Sequence, residues 1–236
     1  MLAVVDSRIP EPMTHALRAR GHLLCPLPPH PALPSPIASH PDVLLFFAPD
    51  RILCTPSYAR LAQRELDLIA THCGKPIQTT EREVGDAWPQ DLLLDALPIG
   101  GRLFCHVAHT ARELTEGSDY RVIHVRQGYA KCAAIPIGET ALITADPSIA
   151  SGATAEGLDV LKIEERHVIL KGYDTGLIGG AASFAPYSEI DEIYFCGDLN
   201  GHPSADRISA FCSRHGRLPH SLSEDPLTDL GTVFLV

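Results

Sequence analysis

The chain has 236 residues, 45% apolar and 20% charged, and 29 Asp plus Glu against 19 Lys plus Arg give a formal net charge of −10. This composition fits a packed globular protein and excludes a disordered one. Its scattered cations are unlike the basic stripe of a nucleic-acid binder, so no nucleic-acid partner is expected.

No apolar run approaches the roughly 18 residues that cross a bilayer, so no membrane partner is expected either. Met1 leads directly into Leu2-Ala3-Val4-Val5-Asp6, which reads as a buried strand and lacks the basic start of a signal peptide. Seven cysteines, none in a Cys-x-x-Cys pair, read as the reduced thiols of a cytoplasmic protein.

In chain order, the sequence predicts a strand at 3–6, a helix at 11–20 and a strand at 22–24. A rigid connector follows at 26–41, where Pro26, Pro28, Pro29, Pro31, Pro34, Pro36 and Pro41 exclude both helix and central strand. Leu33 and Ile37 place that connector against the body of the protein. Beyond it one pattern recurs: two short apolar runs, an amphipathic helix, and a short strand. The runs are 43–46 and 51–55, with a helix at 56–72 and a strand at 76–79. They recur at 92–96 and 102–106, with a helix at 108–116 and a strand at 121–125. The third set is 131–137 and 141–145, with a helix at 147–156 and a strand at 159–163. The fourth is 168–171 and 192–195, separated by a Gly-rich segment, with a helix at 203–215 and a strand at 218–221.

Three of these helices open on a polar residue followed by proline: Thr55-Pro56, Asp146-Pro147 and His202-Pro203. Proline suits the first helical position because its missing N–H would be unpaired there, and Thr or Asp before it can cap. The N-terminal segment is the same unit without its first strand, and the lone apolar run 232–236 supplies one. The expected fold is therefore α/β, a single domain over 1–236 built as a five-unit ββαβ propeller closed by the C-terminal strand. A doubly wound sheet is the competitor, but the paired short runs before each helix read as hairpins, which a purely parallel sheet lacks.

Such a ring resembles the α/β propeller of the guanidino-group-modifying enzymes, the pentein-like amidinotransferases and deiminases. Gln127-Gly128-Tyr129-Ala130-Lys131-Cys132, Ile143-Thr144-Ala145-Asp146, Leu177-Ile178-Gly179-Gly180-Ala181, Cys196-Gly197-Asp198 and Pro226-Leu227-Thr228-Asp229-Leu230-Gly231 look like an uncharacterised bacterial subfamily with that fold. The resemblance implies a site at the mouth of a central channel. It also implies a nucleophilic Cys near the C-terminus, and here this chain departs: its last cysteine is Cys212, so standard arginine deiminase activity is not expected.

Among candidate catalytic residues, Cys132 stands beside Lys131, a cation that can lower a thiol pKa, and Gly128 permits close approach of a ligand. The rival reading makes Cys132 a buried hydrophobe at a strand start, with Lys131 on the other face. His202 is the candidate general acid or base, or else a capping residue. Gln127, Lys131, Asp146, Asp174, Asp198 and Asp229 are the candidate substrate-binding residues, since a cationic guanidinium asks for paired carboxylates. Asp146 has the alternative role of helix cap, and the other three aspartates that of turn residues. His106 and His109 have a spacing that fits one helical turn but lack further ligands in a metal pattern, so no metal and no cofactor is expected. The expected partner is a small polar or cationic nitrogen-containing molecule in the channel. Two functions stay open: a hydrolase or transferase acting on a C–N bond through Cys132, or a non-catalytic propeller that binds a metabolite or a protein. Nothing in the sequence bears on oligomeric state.

Overall fold

The computed structural model describes residues 1–116, 118–187 and 190–236. In chain order the elements begin with β1 (Leu2–Asp6), α1 (Glu11–Ala19), β2 (Leu23–Leu27), α2 (Pro41–Leu44), β3 (Phe46–Phe47), β4 (Ile52–Cys54), α3 (Pro56–Leu61), α4 (Gln63–Cys73) and β5 (Ile77–Thr79). The middle of the chain forms β6 (Leu97–Ile99), β7 (Arg102–Cys105), α5 (Arg112–Thr115), β8 (Arg121–His124), β9 (Ala134–Ile137), β10 (Ala141–Thr144), α6 (Pro147–Ala155) and β11 (Asp159–Lys162). The last elements are β12 (Ser183–Phe184), β13 (Glu192–Phe195), α7 (Ala205–Arg214), β14 (Leu218–Ser221) and β15 (Val233–Leu235).

Among the described residues these strands make five sheets. In three of them a middle strand pairs antiparallel with the strand before it and parallel with the strand after the helix: β3-β4-β5, β6-β7-β8 and β9-β10-β11. The tight connection makes the hairpin, and the helix makes the crossover that a parallel pair requires. β1 is the middle strand of a fourth sheet, parallel to β2 and antiparallel to β15, with Ala3 opposite Leu235, and β12 lies beyond β15. In the fifth, β13 pairs parallel with β14, and Ala182 makes a single antiparallel bridge to Phe195. No continuous ladder runs through all five sheets among the described residues.

Burial falls across each three-stranded unit. Every residue of β1, β9 and β10 is buried, whereas β8, β11 and β14 each expose both end residues. The first two strands of each unit thus face the interior, which is where polar side chains with no access to water are found. Helices pack outside: α1 buries Met13 and Leu17, one turn apart, and α7 buries Ile208, Phe211 and Cys212. Leu33 and Ile37 of the Pro-rich segment are buried against the protein. All seven cysteines are free thiols, and no helix is long and apolar enough to cross a membrane among the described residues.

Several local expectations are corrected. Residues 41–44 are a helical turn, because Pro41 fixes a first helical position and Leu45 N–H bonds back to its carbonyl, so the strand is only Phe46–Phe47. The helix expected at 56–72 is two helices with a break at Ala62, whose φ of −107° and ψ of 30° leave the helical range. Residues 92–96 are buried without being a strand, and the hairpin begins at Leu97. His106 and His109 lie in a turn instead of a helix, and α5 is a single turn after it. The fourth unit takes its antiparallel partner from Ala182, while 168–171 makes one bridge, Ile169 to Thr228. Finally, His202-Pro203 precedes α7 and does not open it; Ser204 is the residue before the helix.

Candidate functional site

Several loops, the helical turn α2 and the end of β1 deliver a set of polar side chains to the interior. Residues 131–133 form a turn ahead of β9, so Lys131 and Cys132 do not alternate across a strand as expected; both are buried. Asp95 fixes this turn: its Oδ1 accepts from the backbone N–H of Lys131 at 2.6 Å and of Cys132 at 3.3 Å. Asp229, ahead of β15, accepts from the N–H groups of Leu177 and Gly231 at 2.8 and 3.0 Å, and from the Cys132 thiol at 3.4 Å. Gly180 closes over the pair, since a Cβ there would sit 2.0 Å from Asp229 Oδ1 and 2.5 Å from Cys132 Sγ.

Lys131 Nζ donates to Thr232 Oγ1 at 3.0 Å, and Thr232 donates in turn to Asp42 Oδ2 at 2.8 Å or to the Gly179 carbonyl at 3.0 Å. Thr232 adopts φ of 66°, a left-handed conformation that a β-branched residue holds only where its surroundings impose it. His40 stands between two carboxylates, with Nδ1 3.7 Å from Asp229 Oδ1 and Nε2 3.9 Å from Asp6 Oδ2.

Burial dominates the electrostatics here. It pushes the carboxyls of Asp42 and Asp95 upward and pushes the Lys131 ammonium downward. Cys132 is carried well above its ordinary value, first by burial and then by Asp229, Asp42 and Asp95, against which Lys131 acts alone. The cation that the sequence offered as an activator is outweighed, and the thiol stays protonated as a hydrogen-bond donor.

A vestibule of about 510 Å³ opens above this cluster. Phe47, Tyr120, Phe184 and Tyr187 form aromatic walls, and Glu139 and Glu192 bring carboxylates. The hairpin turns of two sheets meet on its rim: Gly100 and Gly101, at φ of 53° and 75°, make the β6–β7 turn, and a Cβ on Gly100 would lie 2.3 Å from the Glu139 carbonyl. Tyr194 donates to Glu192 and holds its carboxyl below the usual range, so it stays ionised. Lys75 Nζ lies 3.0 Å from the Tyr187 ring centroid and donates to the carbonyls of Ala48 and Pro49. Phe47, Pro98 and Phe184 also line an inner void of only about 10 Å³ on which Asp42 and Lys131 abut. That void has room for one water at most.

The other candidate residues lie elsewhere. Gln127, Asp146 and His202 line a second cleft of about 170 Å³, together with Glu164 and His167. His202 accepts from Ser204 N–H through Nδ1 at 3.0 Å, its ring packs edge-on against His167, and burial lowers its pKa. Its neighbours are thus distinct from the Asp229 that Cys132 contacts. Asp146 Oδ1 caps α6, accepting from Ser148 and Ile149 N–H at 2.8 Å each, while Oδ2 accepts from Gln127 Nε2. Asp174 is exposed in a bend, and Asp198 accepts from Asn200 N–H at the start of a short 3₁₀ turn. The four aspartates therefore do not gather into one pocket. Asp42, Asp95, His40 and Thr232 escaped the sequence reading; the available signal was a carboxylate inside an apolar run, Leu92-Leu93-Leu94-Asp95-Ala96.

Solved structures match this fold along nearly its whole length. A DDAH from Pseudomonas aeruginosa, a Cys-to-Ser mutant complexed with citrulline, gives a TM-score of 0.55 at 12% identity, covering 94% of this chain and 91% of that one. The inosamine-phosphate amidinotransferase from Streptomyces griseus gives 0.52 at 13% identity, covering 94% and 77%. The likeness read from the motifs thus holds at the level of fold: the chain has the mixed α/β fold of these proteins. No curated protein matched it by sequence. A family of unknown function, DUF6873, matches residues 4–234, and it is to this family that the chain belongs.

Proposed function

We propose that the chain is a small-molecule-binding protein that takes a cationic or polar nitrogen-containing ligand in the vestibule and carries out no thiol chemistry on it. The observation that carries this reading is the partition between vestibule and thiol. A cavity of about 510 Å³ with four aromatic side chains, and with Glu139 and Glu192 set against Lys75 and Arg217, has the size and chemistry to hold a polar nitrogen-containing ligand. Phe47, Pro98 and Phe184 line both it and a void of about 10 Å³ beside Asp42 and Lys131, and Cys132 lines neither space. A nucleophile must reach its electrophile as a thiolate, and Cys132 is both enclosed and held protonated. The citrulline bound to the DDAH neighbour supports a ligand of this class.

This reading includes the architecture. The five sheets are five units about one axis, and β15 stands in for the strand that the N-terminal unit lacks. The repeated antiparallel-then-parallel pairing and the β1–β15 ladder support it. So does the inward placement of the first two strands in each unit. One domain then spans 1–236.

Calorimetric titration with arginine, agmatine and citrulline tests the proposal. At least one of the three binds, Phe184→Ala and Glu139→Gln each weaken it by about tenfold or more, and citrulline or ornithine production from arginine derivatives stays at background. Binding that is untouched by both substitutions, or turnover abolished by Cys132→Ser, overturns it.

A further inference from the structure

The interior cluster contains a side-chain set with the chemistry of a metal site. One ligating atom each from His40, Asp42 and Cys132 lies within 4.8 Å of the other two. All three residues are buried, at 1%, 1% and 3% exposure. Two polar atoms in this set, His40 Nε2 and Asp42 Oδ1, have no hydrogen-bond partner. A buried polar group left unsatisfied is costly, so each of these atoms calls for an explanation.

A cation held by this set supplies one. His40 has a carboxylate facing each ring nitrogen, Asp229 at Nδ1 and Asp6 at Nε2. At 3.7 and 3.9 Å neither contact is a hydrogen bond, so a ring nitrogen is open to a metal ion, with a carboxylate beyond the other to orient the ring. Asp6 is itself held by the Arg8 guanidinium. The carboxyl groups of Asp42, Asp95 and Asp229 all act on a single ammonium, that of Lys131. Glycine shapes the space: at Gly231, where φ is 68°, a Cβ would lie 2.2 Å from the Cβ of His40.

We propose that His40, Asp42 and Cys132 form a buried site for a divalent transition-metal ion of the zinc type. A mixed nitrogen, oxygen and sulfur set suits such an ion, whereas magnesium and calcium take oxygen. Zinc bonds of about 2.0–2.3 Å ask the three donors to close in by roughly an ångström or less. Asp229, 3.4 Å from Cys132 Sγ, is the nearest further oxygen donor. On binding, the Cys132 S–H bond breaks, its proton leaves to solvent, and the thiolate pair bonds the ion, so one proton is released per ion bound. The site is closed and lies behind the vestibule, so it stands or falls separately from the ligand proposal.

The test uses the full chain, produced in cobalt-supplemented medium so that the ion is present as the protein folds. Cobalt(II) is the probe because thiolate ligation gives a near-ultraviolet charge-transfer band that histidine and carboxylate ligation do not. The expected result is one cobalt per chain with that band, and its loss in Cys132→Ser. His40→Gln and Asp42→Asn lower cobalt affinity at least about tenfold. Circular dichroism verifies the fold of each variant; should any fail to fold, the stoichiometry and band of the unsubstituted chain decide alone. A folded chain without the band overturns the proposal. So does cobalt held without the band and lost instead in His106→Gln, which would place it on the stacked His106–His109 pair.

Discussion

Lys131 and Cys132 are neighbours in the chain and both are buried, yet the lysine does not activate the thiol. Three carboxylates and the loss of water act on Cys132 in the opposite direction, and the side-chain ammonium is directed to Thr232 Oγ1. In the presence of a chelator and near neutral pH, iodoacetamide should therefore label Cys73, which is half-buried, well before Cys132. Cys132 should become reactive only in step with unfolding by urea, as peptide mass spectrometry would show. Fast labelling of Cys132 in the native chain would contradict its protonated, enclosed state. The sequence made Lys131, Cys132 and Asp229 legible as chemistry because each sits in a short, distinctive string. It hid their partners because Cys132 meets Asp229 from 97 residues away and Lys131 meets Thr232 from 101 residues away. Asp42 and Asp95 carry no periodic signal that marks a carboxylate as interior.

Helix starts show which local signals are reliable. Thr55-Pro56 and Asp146-Pro147 do open α3 and α6, and both polar residues cap. The bonds differ: Thr55 Oγ1 accepts from Tyr58 N–H at 3.4 Å, while Asp146 Oδ1 accepts two N–H groups at 2.8 Å. Asp146→Ala should accordingly destabilise the chain by about 1–2 kcal/mol and Thr55→Ala by about 0.5 kcal/mol. Urea denaturation measures both, and equal effects would show that the caps are not what these residues contribute. The third signal failed because the His202 ring takes the Ser204 N–H, making a turn where a cap was expected. Apolar runs failed for a different reason. Residues 43–46 and 92–96 are buried in full, and continuous burial carries no phase from which helix, strand or loop can be told. The strands that were legible, such as β10 and β13, are bounded by glycine, proline or a helix start.

At the scale of the molecule, the neutral histidines set the acid limit. His22, His30 and His202 all have pKa values lowered from 6.5, with burial the leading cause. His30 and His202 also accept backbone N–H groups at Nδ1, from Ala32 and Ser204, and a proton there would oppose the donor. The unfolded chain then binds more protons than the native one below about pH 6.5, so stability is full above that value and declines as pH falls toward the folded pKa values. The double variant His30→Asn, His202→Asn keeps an acceptor in place of each Nδ1 and should flatten this decline in urea titrations between pH 7.5 and 5. An unchanged slope would assign the acid limit to other groups.

The pairing of β1 with β15 has a consequence for how the chain comes into being. Leu2 N–H bonds to the Val236 carbonyl and Val236 N–H to the Leu2 carbonyl, so β1 is completed by a strand far along the chain. Contacts of this sequence separation form late and slowly, because nearly the whole chain must be ordered to bring them together. On the ribosome, β1 keeps one edge unpaired until residues 233–236 have been made and have reached it. Any product that lacks 233–236 keeps that edge open, which makes this segment a condition for closing the β1 sheet as well as a part of it.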